Sequence, residues 1–196
     1  MGIYDRQKDV LNIDSMPVVT VCGCGGAGYW VAKLLAMSGV DKMYLFDPDV
    51  IDETNLNRLD LPIGSIGINK AAAVKKVINH LRPACTVYTM PFNFKESMYS
   101  HSNYIVDCTD NMKSQLEIQE TADKYGATYV KAGYNGTHIS IHNRVGEWGE
   151  SPDGYTITPS WVVPSVIVAS LTVAKILKSY TKELSLDISK IFNFNF

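Results

Sequence analysis

Val18-Val19-Thr20-Val21-Cys22-Gly23-Cys24-Gly25-Gly26-Ala27-Gly28 sets the reading of the rest of the chain. Val18 to Cys22 is a short β-branched run that predicts a strand, the glycines predict a tight turn, and Tyr29 to about Met37 predicts a helix. Ser38-Gly39 stops that helix, and Lys42-Met43-Tyr44-Leu45-Phe46 reads as the next strand, ending on Asp47. Strand, glycine turn, helix and strand make one βαβ unit. Glycines permit close backbone approach, and the free N–H groups at a helix start attract phosphate oxygens. Gly23, Gly25, Gly26 and Gly28 are therefore nucleotide-binding candidates, with Asp47 placed to accept hydrogen bonds from ribose hydroxyls. The same glycines also suit close packing of helix on strand with no ligand, and the turn alone leaves both readings open.

Outward from this unit the alternation continues. Asn69 to Leu81 reads as a helix closed by Arg82-Pro83, and Thr86 to Met90 as a strand. Tyr104 to Cys108 is a buried-type strand, Lys113 to Tyr125 a helix stopped by Gly126, and Thr128 to Ala132 a further strand. The pattern predicts an α/β fold, a Rossmann-like doubly wound and mostly parallel sheet. Asn143 to Pro159, rich in Gly, Pro, Ser and Glu, reads as an exposed loop able to cross a site. A buried helix running to Leu177 follows it, apolar on more than one face. In the tail, Ile188 to Phe196, polar and apolar residues alternate as in a half-buried strand, and the sheet is expected to carry an antiparallel C-terminal extension.

The 196 residues fit one domain, and 46% hydrophobic with 19% charged residues suits a packed core. A formal net charge of -2 without a basic block argues against nucleic acid as partner. The charged N-terminus lacks a signal-peptide core, and no apolar run is long enough to span a membrane, so a cytoplasmic setting without membrane contact is expected. Cys22, Cys24, Cys85 and Cys108 sit in or beside apolar runs and read as buried reduced thiols, and C-x-C without a second pair is a poor zinc site.

After Asp47 the chain runs Pro48-Asp49-Val50-Ile51-Asp52-Glu53-Thr54-Asn55-Leu56-Asn57-Arg58, then Gly67-Ile68-Asn69-Lys70, then Asp107-Cys108-Thr109-Asp110-Asn111. These segments resemble the ThiF/MoeB and ubiquitin-activating-enzyme superfamily, whose members adenylate the C-terminal carboxylate of a small ubiquitin-like protein or a peptide. The resemblance implies that Asn55, Arg58, Lys70 and Asp110 surround ATP and magnesium, with Asp110 the metal ligand, and that Asp49 and Asn111 join the glycine turn and Asp47 in nucleotide binding. Tyr4-Asp5-Arg6-Gln7 is similar to the family's Y-x-R-Q element. That similarity implies a homodimer in which residues 1–16 form an arm carrying Arg6 into the partner's site. By the same resemblance residues 1–196 form a single adenylation domain and residues 143–160 a crossover loop.

The residue types suit the chemistry. A carboxylate attacking the α-phosphate of ATP approaches a polyanion, so cations from Arg58, Lys70 and Arg6 are needed, and no general base is, because the acceptor is already ionised. Magnesium takes one or two carboxylates plus phosphate oxygens, a role for Asp110. Singly, each residue has a plainer reading: surface charges at Arg58 and Lys70, a helix cap at Asn55, an N-cap at Asp110, and a disordered terminus at Arg6. The chain departs from many relatives in lacking two C-x-x-C pairs and a cysteine beyond Cys108. Thr156 or a neighbour stands where a thioester-forming cysteine is expected, and a hydroxyl does not substitute for a thiolate. The expectation is a minimal adenylating unit that hands its acyl-adenylate to water, an amine or another protein's thiol. A catalytically silent scaffold for a ubiquitin-like partner and, on the glycine turn and Asp47 alone, an NAD-dependent oxidoreductase are the alternatives; adenylation of a tRNA carbonyl has no support from the charge balance.

Overall fold

The computed structural model describes residues 2–146 and 159–191. Its centre is one seven-stranded sheet in the order β3-β2-β1-β4-β5-β6-β7. The strands are β1 (Val19–Cys22), β2 (Lys42–Phe46), β3 (Thr86–Met90), β4 (Tyr104–Asp107), β5 (Thr128–Asn135), β6 (His138–His142) and β7 (Leu184–Asp187). The first five pair in parallel, and β6 and β7 add on antiparallel. β1 is buried at every position because it has β2 on one side and β4 on the other and helices on both faces. That double burial is why its sequence, Val-Thr-Val-Cys, carries no charged residue and is β-branched at all but the last position.

The helices are α1 (Gly26–Met37), α2 (Lys70–Leu81), α3 (Met112–Tyr125) and α4 (Val162–Leu177). Helices α1, α2 and α4 share one face, where Leu35, Val74, Ile78, Val168, Ala169 and Ile176 meet Val19, Val21 and Leu45 of the sheet. α3 covers the other face through Ile118 and Ala122, against Phe46, Ile105 and Tyr129. Each fully buried aliphatic side chain contributes about 1.5–3 kcal/mol. Local signals fix the helix ends. Asn69 caps α2 by accepting from Ala72 N, Asn111 caps α3 by accepting from Ser114 N, and Gly126 closes α3 in the left-handed region at φ 70°.

The tail departs from expectation. The antiparallel strand is Leu184–Asp187, where Leu184 and Leu186 alternate with polar residues, and Ile188–Ile191 is a 3-10 turn whose start is held by Asp187 accepting from Ser189 N. Phe192–Phe196 lies outside the described residues, as do residues 147–158 of the crossover loop with Thr156. Sequence reading also passed over β6, joined to β5 through Asn135-Gly136-Thr137 with Gly136 at φ 58°. Among the described residues no helix is long and apolar enough to cross a membrane.

Candidate active site

In an open α/β sheet ligands bind beyond the C-terminal strand ends where strand order reverses. Here that point lies between β1 and β4. The glycine turn caps it, and its four glycines have different surroundings. Gly23 has φ +84° and abuts the other side of the crevice, since a Cβ there would lie 2.9 Å from Cys108 O. A Cβ on Gly28 would lie 1.8 Å from Gly23 O, and one on Gly26 would lie 2.1 Å from the Tyr134 hydroxyl. Gly25, the N-cap of α1, faces open space, and a Cβ there would meet nothing within 4 Å. The close-packing reading therefore accounts for Gly26 and Gly28, whereas Gly25 leaves a helix N-terminus open to an anion.

Asp47 is 4% exposed. Its Oδ2 accepts from Cys24 N at 2.6 Å and its Oδ1 from Asp49 N at 2.8 Å, so the carboxylate ties the glycine turn to the segment after β2. Burial pushes its pKa above the ordinary value, against the two N–H groups and the Lys70 charge. Each oxygen keeps a lone pair for a further donor.

Lys70 is the first residue of α2 and is placed by its neighbour. Asn69 Nδ2 donates to Asp47 O at 2.8 Å and to Asp49 O at 2.9 Å, while Lys70 N donates to Asp49 O at 2.9 Å. The Lys70 ammonium pairs with Asp49 Oδ2 at 2.8 Å, with 15% of the lysine side chain and 64% of the aspartate side chain exposed. The cation is thus held beside Asp47 by a carboxylate that water can reach.

Arg58 is positioned from α1. Trp30 Nε1 donates to Arg58 O at 2.8 Å, and Tyr29 OH donates to Asp60 O at 2.8 Å. Arg58 Nη1 donates to Thr54 O at 2.7 Å and to Asn57 Oδ1 at 2.9 Å. Asn55 is 9% exposed and serves as a cap, its Oδ1 accepting from Asp52 N at 3.2 Å inside a capping box. Its plainer reading is the one present here.

At the end of β4 the Thr109-Asp110-Asn111 turn is held from behind. Asp107, fully buried, accepts from Thr109 N at 2.8 Å, Thr109 Oγ1 at 2.7 Å and Tyr129 OH at 2.6 Å. Lys131 donates to Thr109 O and pairs with Asp107. Asp110 stands exposed at the turn, and Asn111 rather than Asp110 is the N-cap of α3. One exposed carboxylate fits a magnesium ion that takes its other ligands from phosphate and water. The network behind the turn was missed from sequence, although Lys131 within the apolar run Tyr129-Val130-Lys131-Ala132 is a signal of it.

Arg6 is not brought to this crevice. It is exposed on an arm that packs at the opposite end of α1, where Gln7 Nε2 donates to Ser38 O at 2.7 Å and Lys178 Nζ to Val10 O at 2.9 Å. All four cysteines are free thiols, and burial pushes Cys85 up to about 11, Cys108 up to about 12 and Cys22 and Cys24 well above their ordinary value. Cys24 therefore packs rather than reacts. A groove of about 690 Å³ between α3 and Glu96 lies on the opposite sheet face, and its wall, with Glu96, Glu117 and Glu120 against the single cation Lys113, is net acidic and unsuited to a triphosphate.

Residues 5–151 match the ThiF family model. "Adenylyltransferase and sulfurtransferase UBA4" of Eremothecium gossypii is 30% identical over 132 residues, covering 64% of this chain and 30% of that protein. "Ubiquitin-like modifier-activating enzyme 5" of Branchiostoma floridae is 26% identical over 183 residues, covering 85% of this chain and 44% of that protein. The chain thus spans less than half the length of these two curated relatives. The crystal structure of E. coli MccB with ATP shares the fold at a TM-score of 0.79 and 18% identity, covering 95% of this chain and 71% of that one. The mostly parallel sheet, the glycine turn before α1 and a family match across most of its length lead to one conclusion: the chain belongs to the ThiF family.

Proposed function

We propose that this chain is an ATP-dependent adenylyltransferase that activates the C-terminal carboxylate of a ubiquitin-like protein or a peptide as an acyl-AMP. The observation that carries the reading is the crevice itself. The open helix start at Gly25, the buried Asp47, the Lys70 and Arg58 cations and the exposed Asp110 carboxylate all come from segments ending at the C-terminal side of β1, β2 and β4. The ThiF match and the activities for which the relatives are named support the same reading.

In this reading the α1 N-terminus and Lys70 hold phosphate oxygens, and Asp47 accepts from the ribose. Lys70 reaches the phosphates by sharing or leaving Asp49, whose own carboxylate is open to water and is resolvated when the pair loosens. Arg58 keeps its bonds to Thr54 and Asn57 and turns its other N–H groups to the phosphates, having five donors in all. Asp110 would hold magnesium, whose charge offsets that of the leaving pyrophosphate. The acceptor carboxylate arrives already ionised, so the protein's contribution is placement and electrostatics.

Arg6 belongs to the proposal as a residue that acts on a second copy. α1 is 12 residues long, about 18 Å, and separates the N-terminal arm from its own glycine turn. Val163 and Leu171 of α4 and Met37 of α1 are exposed apolar residues on the same helical layer, as a homodimer contact requires.

Pyrophosphate–ATP exchange tests the reading, with magnesium and either a ubiquitin-like protein ending in Gly-Gly or a peptide carboxylate as acceptor. Exchange that depends on Arg58 and Lys70 is the expected result. Failure of the folded protein to bind ATP, or tighter binding of NADH than of ATP, overturns it.

A further inference from the structure

The segment leading from the crossover loop into α4 is tied to two places at once. Gly136 N donates to Pro159 O at 2.8 Å and Trp161 Nε1 donates to Gly136 O at 3.0 Å, which fixes the segment to the β5–β6 turn. Between them, Ser160 reaches the nucleotide side. Its carbonyl accepts from Asn57 Nδ2 at 2.9 Å, across 103 residues of sequence, and its hydroxyl shares a hydrogen bond with the Tyr134 hydroxyl. Asn57 Oδ1 accepts in turn from Arg58 Nη1 at 2.9 Å. The Tyr134 hydroxyl stands over the first residue of α1, where a Cβ on Gly26 would come within 2.1 Å of it. Contact is continuous from Arg58 through Asn57, Ser160 and Tyr134 to the glycine turn.

Holding the segment to the sheet does not need Asn57, since the Gly136 pair does that. What Asn57 adds is a connection to Arg58, which its carboxamide makes by accepting from Arg58 at one end and donating to Ser160 at the other. We infer that Asn57 and Tyr134 are positioning residues: hydrogen bonds join Arg58, Asn57, the crossover exit Pro159–Trp161 and Tyr134 into one unit, which packs against the glycine turn through the Tyr134 hydroxyl over Gly26. A nucleotide that draws on Arg58 then also fixes the crossover exit, ahead of the acceptor chain end. The inference rests on the crevice being the ATP site.

The test is hydrogen exchange of peptides spanning residues 159–166 in the full chain, with and without saturating magnesium–AMPCPP. Exchange is expected to slow about fivefold on binding, the effect of firming one hydrogen bond of ordinary net strength. Asn57→Asp keeps the acceptor for Arg58 and loses the donor to Ser160. With AMPCPP supplied at a concentration that saturates the variant, the slowing is expected to be lost. Tyr134→Phe, which keeps the ring over Gly26 and removes the hydroxyl, is expected to lose it as well. A purely structural staple would change exchange equally with and without nucleotide. A parent that binds AMPCPP without slowing, or an Asn57→Asp variant that slows as the parent does, overturns the inference. A parent that does not bind AMPCPP at all removes the ATP reading itself, and the inference with it.

Discussion

Lys131 Nζ lies 3.5 Å from Asp107 Oδ1, with the two side chains only 7% and 0% exposed. Lys131 also donates to Thr109 O, so the pair sits directly behind the turn that presents Asp110. Such a pair roughly breaks even against a hydrophobic replacement, but loss of one partner strands a buried charge. Lys131→Met is expected to lower stability by about 3–5 kcal/mol in urea unfolding. Lys131→Met with Asp107→Asn should recover part of that loss, because no net charge is then left inside. A single variant as stable as the parent would mean that Asp107 is satisfied by Tyr129 and Thr109 alone.

The glycine turn separates binding from packing. Gly25 has φ -72°, open to any residue, and space where a methyl would go. Gly25→Ala is expected to fold as the parent does, within about 0.5 kcal/mol, while the methyl blocks a phosphate at the α1 start. ATP affinity should fall at least about tenfold, equivalent to about 1.4 kcal/mol. Gly28→Ala drives a methyl to 1.8 Å from Gly23 O and must move backbone. Its expected cost is about 1–3 kcal/mol of stability. Calorimetric ATP titration beside thermal unfolding checks both, and equal ATP affinity in Gly25→Ala would remove the anion site from this turn.

Asp47 makes stability depend on pH. Its folded pKa is raised, chiefly by burial, above an unfolded value of about 3.9. Between those two values the folded state binds the extra proton, so this group's contribution to stability falls as pH rises through the window. Asp47→Asn lacks the titration. It also turns an amide N–H₂ toward one of the two backbone N–H donors, at an expected cost of about 1–3 kcal/mol. The stability advantage of the parent over Asp47→Asn is therefore expected to be largest at the acid end and to shrink toward neutrality. Unfolding curves across that range decide it, and an advantage that grows with pH would show that Asp47 is not the group responsible.

The parallel part of the fold was legible because a strand buried on both faces must be apolar throughout, as Val19–Cys22 and Tyr104–Asp107 nearly are. The antiparallel part was harder. β6 ends in histidines and alternates over only five residues, and its best signal, the Asn135-Gly136 turn, is local and easily passed over. In the tail the strand is carried by the alternation of Leu184 and Leu186, and Ile188–Ile191, where the expected strand begins, is a 3-10 turn, because period two does not by itself say what a segment pairs with. α1 begins at Gly26, ahead of the Tyr29 start expected, since a first turn tolerates glycine that a helix interior does not.

At the candidate site, the residues that sequence reading could propose are carried by one short segment, and those joined across the sheet went unread. Asn55, Arg58 and Lys70 follow Asp47 closely, and their order survives in any reading of the sequence. The Lys131–Asp107 pair and the Asn57–Ser160 bond join residues 24 and 103 positions apart. No periodicity links such positions, and only the sheet order brings them together.

Arg6 supplies the sharpest test of the proposed shared site. Tyr4 packs near Gly39 and Gln7 bonds Ser38, which keeps the arm at the far end of α1 from Gly25. Arg6 therefore lies away from its own crevice, and in the proposed dimer it would act on the other copy. Arg6→Ala and Asp110→Asn are each expected to abolish pyrophosphate exchange as pure proteins. Mixed in equal amounts and allowed to exchange subunits, half the dimers carry one of each. In those dimers the Arg6→Ala subunit keeps its own Asp110 and receives an intact arginine from its partner, so one site in two is whole. Recovery to about a quarter of the parent's activity is the expected outcome for a twofold dimer. An arginine that served its own subunit would leave both sites of every mixed dimer deficient, and the mixture would stay inactive however long the subunits exchanged.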